Sequence, residues 1–258
     1  MNNLVIIISG KRKSGSSSVA KMITAEYLNS IIGKQRFELG KFGKETIVLD
    51  TFNNQPVVFD YPNDQLEQLI KTYSVKIYSF LDPIKNFCIN TFGLDVMQCY
   101  GSENDKDSYT HISWDDIHNE IKKKYSKKIK KKNDKKSLND FLTADELLEI
   151  VKNDFALKFD PNAISRGLYS LIAQEGHKLS IIEDAKNCNE ITIGTENGAK
   201  VIRLLRQSNE LNEEDKKLDE FPLGEYNLIV DNKNMTMQET HNHIKPKVHE
   251  WFKQYKII

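Results

Sequence analysis

The residues best able to do chemistry gather near the amino terminus, in "IIISGKRKSGSSSVAKMI" from Ile6 to Ile23. Gly10 and Gly15 are spaced as in the phosphate-binding pattern G-x-x-x-x-G-K-[ST], where glycines let backbone N–H groups turn inward around an anion. Ser17 stands at the hydroxyl position, and Ser16 occupies the place where lysine is expected. A lysine there follows charge onto the leaving oxygens during phosphoryl transfer; serine is too short and neutral to do so. Lys11, Arg12 and Lys13 bring positive charge from the outer loop, so Lys11 or Lys13 is the candidate replacement cation. The cradle would comprise Gly10, Lys11, Arg12, Lys13, Ser14, Gly15, Ser16, Ser17 and Ser18. The competing reading is a Gly-Ser turn without a ligand.

Other candidates lie at the ends of apolar runs. In "SFLDPIK", Asp82 and Lys85 either face an acceptor nucleotide or are a helix cap and a surface lysine, and spacing alone favours the latter. In "IIEDAKNCNE", Asp184, with Glu183 as alternate, either holds a magnesium ion or caps a turn. Arg203 and Arg206 flank the end of "KVIRLLR", as phosphate clamps or as plain surface residues. Asp231 and Asn232 follow "YNLIV". The run "KKKYSKKIKKKNDKK" holds ten lysines between Lys122 and Lys136 and a single aromatic, Tyr125. Base stacking on nucleic acid needs more aromatic surface, so a solvated face is the preferred reading. His241 and His243 are two apart and read as surface residues.

The elements that must position these residues follow from periodicity. Leu4 to Ile8 is a β-branched run typical of a strand covered on both faces. Val19, Met22, Ile23, Tyr27 and Ile31 recur at three- and four-residue steps, marking a helix that Gly33 stops. Residues 34–73 read as an inserted hairpin of "ETIVLDT" and "PVVFDY", followed by a short helix through Lys71 capped by Asp64. "SVKIYSFLDPIK" gives a strand ending at Asp82-Pro83, with Pro83 in the first turn of the next helix. Residues 99–140 are a polar, lysine-rich insertion. Thr143 with Glu146 and Thr236 with Glu239 have capping-box spacing, and Asp160-Pro161 reads as another helix start. "HKLSIIED", "AKVIRLLR" and "YNLIVDN" are the remaining strands. Strands separated by helices predict an α/β three-layer αβα sandwich with a mostly parallel sheet, as one domain over 1–258 with two insertions. In such sheets ligands bind at the carboxyl ends of the strands, where the Gly10 loop, Asp82, Asp184 and Asp231-Asn232 all fall.

Composition narrows the setting. With 39% hydrophobic and 29% charged residues, the chain reads as a soluble globular protein. The formal net charge is zero, so overall charge points to no particular partner. No apolar run approaches the roughly 20 residues of a membrane span, and "LVIIIS" is too short for a signal peptide. Cys88, Cys99 and Cys188 are scattered without disulfide or metal spacing, which fits a reducing, cytoplasmic location.

Several of these segments together resemble the deoxynucleoside monophosphate kinases of tailed bacteriophages, within the P-loop nucleoside monophosphate kinase superfamily. The opening stretch resembles their "SG-K-R-SGKD-T-A--I", and "YSFLDPIKNF" their second strand and "DP-K" helix start. "SIIEDAKNCNEITIGTENGAKVIRLLRQ" resembles "DVR---E------GA-VI-V-R", and "YNLIVDNKNMTMQE" resembles their last strand and "N-G-LEEL" helix. The opening is also similar to animal phosphomevalonate kinases. The resemblance implies transfer of the γ-phosphoryl group of ATP to a dNMP with Mg²⁺. It implies Ser17 and Asp184 near the metal, Asp82, Lys85, Lys186, Arg203 and Arg206 near the acceptor, and Asp231 and Asn232 near adenine. It implies the host cytoplasm or a virion as the location. Protein partners or a homodimer belong to the same expectation. The departures cluster at the chemistry. Ser16 replaces the loop lysine, Lys186 replaces an arginine, "TADELL" lacks the family's arginine, and "LNEEDKKLDEFP" replaces an H-x-S-E-type segment. Scaffold features persist while charge-stabilising ones are missing. That combination is expected of a weakened kinase, or of a kinase-derived binding or structural protein without catalysis.

Overall fold

The computed structural model describes residues 3–11, 13–42, 45–52, 54–57, 63–132, 141–206 and 218–258. Two compact units are present. The first comprises Met1–Phe59, Asn63–Phe80 and Ser165–Ile258, and the second Asp60–Pro62 and Leu81–Ile164.

The first unit is built on a five-stranded, all-parallel sheet. In chain order its strands are β1 (Leu4–Gly10), β5 (Val75–Tyr78), β8 (Leu179–Ala185), β9 (Lys200–Leu204) and β10 (Leu228–Val230). Their order across the sheet is β10-β9-β1-β8-β5, which places the first strand in the middle. Ile6 pairs with Ile181 on one side and Lys200 on the other. Burial of both sheet faces explains the unbroken apolar runs, since neither face has water to meet. On one face Leu4, Ile6 and Ile8 pack with Val19, Ile23 and Tyr27 of α1 (Ser16–Ile32), and with Val248, Trp251 and Phe252 of α11 (Met237–Gln254). On the other, Ile7 meets Gly194 of α10 (Cys188–Glu196) so closely that a side chain there would collide with it. Helices on both faces make the three-layer sandwich.

Residues 34–73 hold more than a hairpin. β2 (Phe37–Phe42), β3 (Glu45–Asp50) and β4 (Gln55–Val57) form a three-stranded antiparallel sheet, with Phe37 paired to Asp50. Phe37, Val48 and Val57 join the core beside α1. The strand β2 was not expected, because "FELGKF" carries a glycine and two charges. The next helix, α2 (Asp64–Tyr73), is capped by Asn63, whose side chain accepts from Leu66 N; Asp64 is its first residue, not its cap.

In the second unit α3 (Asp82–Phe92) has Pro83 in its first turn and ends at Gly93 in the left-handed region. The preceding strand stops at Tyr78 and does not reach Asp82. Two short helices, α4 (Val96–Tyr100) and α5 (Glu103–Lys106), lead to β6 (Tyr109–Ser113), which pairs with β7 (Phe141–Thr143). Between them α6 (Asn119–Lys132) carries most of the lysine run, and residues 133–140 lie outside the described residues. Tyr125 is buried against Trp114, so the run's one aromatic serves packing. The Thr143–Glu146 capping box opens α7 (Ala144–Ile150), which widens into a π-helical turn over Val151–Ala156 before α8 (Leu157–Phe159). The helix expected at Asp160 begins two residues past Pro161, as α9 (Ala163–Glu175), because Asp160 instead closes a turn by accepting from Asn162 N and Ala163 N. No helix among the described residues is long and apolar enough to cross a membrane.

Candidate phosphate-binding site

The loop between β1 and α1 lies at the carboxyl end of the central strand. Ser14 N donates to Lys11 O and turns the chain back. Lys13 and Gly15 both take positive φ, 64° and 93°, the conformation that turns backbone N–H groups toward a common centre. Gly10 is required by sterics, since a Cβ there would run into the Ser14 side chain. Helix α1 then starts with Ser16, Ser17 and Ser18, with no acidic residue in its first turn and no side-chain cap. The first N–H groups of a helix lack intrahelical acceptors, and together they attract anions. The Ser14 hydroxyl is buried and has no hydrogen-bond partner among the described residues. Ser17 is exposed and Ser16 is half-buried.

Of the cations expected to serve this loop, Lys11 and Arg203 are otherwise engaged. Lys11 is turned inward and buried, and its Nζ lies 2.5 Å from Asp219 Oδ2. The same carboxylate accepts from Arg203 Nη2 through Oδ1 at 3.0 Å. Arg203 is buried at the end of β9, 3.4 Å from Ser9 Oγ, with its guanidinium over the Tyr226 ring. Burial pushes the Tyr226 phenol up, and the Arg203 charge only partly offsets this. Asp219 thus neutralises two cations at the strand ends. Lys13 is exposed, and Arg12 lies outside the described residues.

Arg206 is spoken for as well. Its guanidinium donates to Asn232 O and to Met235 O, at 2.8 and 2.6 Å from Nη2. Asn232, expected near adenine, is buried beside the loop. Its Oδ1 accepts from Arg206 N and its Nδ2 donates to Ser14 O, both at 2.9 Å. It therefore ties the end of β10 to the loop. Asp231 is exposed and accepts only from Lys233 N, at 3.3 Å.

On the other side of β1, Asp184 near the end of β8 accepts from Ser79 Oγ at 2.7 Å and Phe80 N at 2.9 Å, anchoring the exit of β5. Lys186 is exposed. Asp82 and Lys85 belong to the second unit, where they form an (i, i+3) pair at 3.5 Å and Lys85 lies over the Tyr100 ring. Among the described residues no three of His, Cys, Asp and Glu converge to hold a metal. An ion carried in by nucleotide phosphates needs only one or two protein groups, and the exposed Ser17 offers one hydroxyl.

Sequence reasoning missed Asp219. It lies in the acid-rich "LNEEDKKLDEFP", and nothing in its spacing separates it from its neighbours. It also misjudged His241. That ring is largely buried, 2.9 Å from Glu26 on α1, where His249 and Lys245 also converge. Compared with known proteins, the chain matches no family model and no curated relative.

Proposed function

We propose that the chain is a nucleotide-binding protein of the deoxynucleoside monophosphate kinase type in which phosphoryl transfer is weak or lost. The observation that carries this reading is the pairing of Lys11 with Asp219 beside a glycine loop that has serine in place of lysine. Backbone N–H groups at the start of α1 suffice to hold a phosphate. Moving charge onto the leaving oxygen requires a cation that reaches it from the helix turn; Lys11 is buried in another pair, and the exposed Lys13 starts from the outer loop. The central position of β1 and the order of its neighbours support the same reading, because they place the loop at the sheet's switch point. In this reading ATP phosphates rest on Gly10 to Ser18. A magnesium ion that comes with the nucleotide meets the Ser17 hydroxyl. When bound, that ion would neutralise phosphate charge; the chain's own part is to orient the phosphates.

Calorimetry of MgATP binding, followed by ADP formation with each dNMP, tests the proposal in the wild type and in Ser16→Lys. The expected result is binding without appreciable wild-type turnover, and a gain of at least about tenfold in Ser16→Lys. Absence of binding to ATP and to every monophosphate would overturn the nucleotide reading. Brisk wild-type turnover would overturn the loss of catalysis.

A further inference from the structure

The second unit contains a cavity of about 520 Å³, a size typical of small-molecule sites. Its walls are apolar, from Ile112 and Ile117 on one side to Leu147 and Ile150 on the other. Three phenylalanines shape it. Phe87 and Phe155 lie nearly parallel, 13° apart with centroids at 5.7 Å, and Phe92 meets Phe87 edge-on at 84°. Phe155 is 64% exposed, so one side of its ring is open to a ligand. The π-helical turn after α7 supplies Val151, Asp154 and Phe155 to the lining. Widened turns of this kind interrupt a helix at a cost and recur at functional sites.

The polar groups set the ligand's charge. Asp154 is buried in the wall, its side chain 2% exposed, and its charge is met by Lys124 and Lys158. Asp116 is exposed at the rim and carries an unmatched carboxylate, which accepts from Ser113 N. His111 is exposed nearby in the same lining. Parallel rings favour a flat aromatic body, apolar walls favour an uncharged one, and the rim carboxylate favours a hydrogen-bond donor.

We infer that this cavity is a binding site for a small, planar, uncharged aromatic molecule that carries an N–H donor. Its lining shares no residue with the glycine loop, and the inference stands whether or not the loop binds nucleotides. Water held against such walls has few partners, so a ligand of this class displaces it favourably.

The test uses two fluorescent probes with the same rings, the neutral phenylnaphthylamine and the anionic anilinonaphthalene sulfonate, titrated into the full chain. The neutral probe is expected to bind saturably at one site, at least about tenfold more tightly than the sulfonate. Phe155→Ala is expected to weaken it by roughly fivefold or more without lowering the melting temperature, because the ring is exposed. Ile117→Trp, which fills the cavity, is expected to abolish it, and Asp116→Asn to narrow the preference over the sulfonate. Lack of saturable binding by the neutral probe would overturn the inference. So would equal binding of the two probes, or binding unchanged in both Phe155→Ala and Ile117→Trp.

Discussion

Lys11 and Asp219 form a close ion pair at the carboxyl end of the central strand, although 208 positions separate them in the chain. The lysine is buried and the carboxylate is about half exposed, so the pair is one fixed cation and one replaceable anion. In the proposed function, Asp219 competes with an incoming phosphate for these cations. Asp219→Asn therefore frees Lys11 and Arg203 together. MgATP affinity by calorimetry is expected to rise by roughly three- to tenfold, the scale of one partly exposed ion pair. Unchanged affinity would mean that neither cation faces the phosphates.

Asn232 offers a test of how the loop is held. Asn232→Ala removes the acceptor for Arg206 N and the donor to Ser14 O, both in a buried setting. Stability is expected to fall by about 1–3 kcal/mol in urea unfolding, the usual cost of stranding buried polar groups. Anion affinity is expected to weaken in parallel. A variant as stable as the wild type would show that the tie is dispensable.

The steric argument at Gly10 predicts a sharper effect from a single methyl. Gly10→Ala forces its new Cβ into the Ser14 side chain, and Leu204 packs against the same point. A loss of about 1–3 kcal/mol is expected from overpacking, together with loss of nucleotide binding. Gly224→Ala, where open space surrounds the added carbon, is the matched control and should change little.

Glu26 predicts a pH dependence. Burial pushes its carboxyl up, but hydrogen bonds from His241, His249 and Lys245 outweigh burial and bring it down from 4.5 to about 2. A carboxyl lowered in the folded state stabilises fully above its unfolded value, and that contribution is lost as pH falls through the folded one. Glu26→Gln should therefore lower the melting temperature by roughly 3–8 °C at neutral pH. The gap to wild type should close between pH 4.5 and about 2. A constant gap across that range would assign the effect to shape rather than charge.

Local signals carried much of the fold. The apolar run at Leu4–Ile8, the stop at Gly33, and the Thr143–Glu146 and Thr236–Glu239 boxes depend on neighbours within four residues, and all are present. What sequence left hidden depends on distant partners. Strand β2 is held by pairing with β3 and by packing on α1, which outweigh the weak β preference of its glycine and charges. His241 looks exposed by spacing because its partner, Glu26, is at the far end of the chain. The glycine loop was visible as a pattern. The fate of its cations was not, since Asp219 and Asn232 reach it from the last third of the sequence.

The placement of β1 between β8 and β9 has a consequence for biosynthesis. Strand β1 pairs with Leu179–Ala185 and Lys200–Leu204, so its edges stay open until those later segments have emerged. Contacts that span the chain close late and slow folding, and an unpaired apolar strand is a template for the wrong partner. Helix α1 cannot shield it fully either, because Val248, Trp251 and Phe252 on the same face arrive last. The glycine loop at the end of β1 therefore acquires its shape only after residues nearly two hundred positions downstream have joined the sheet.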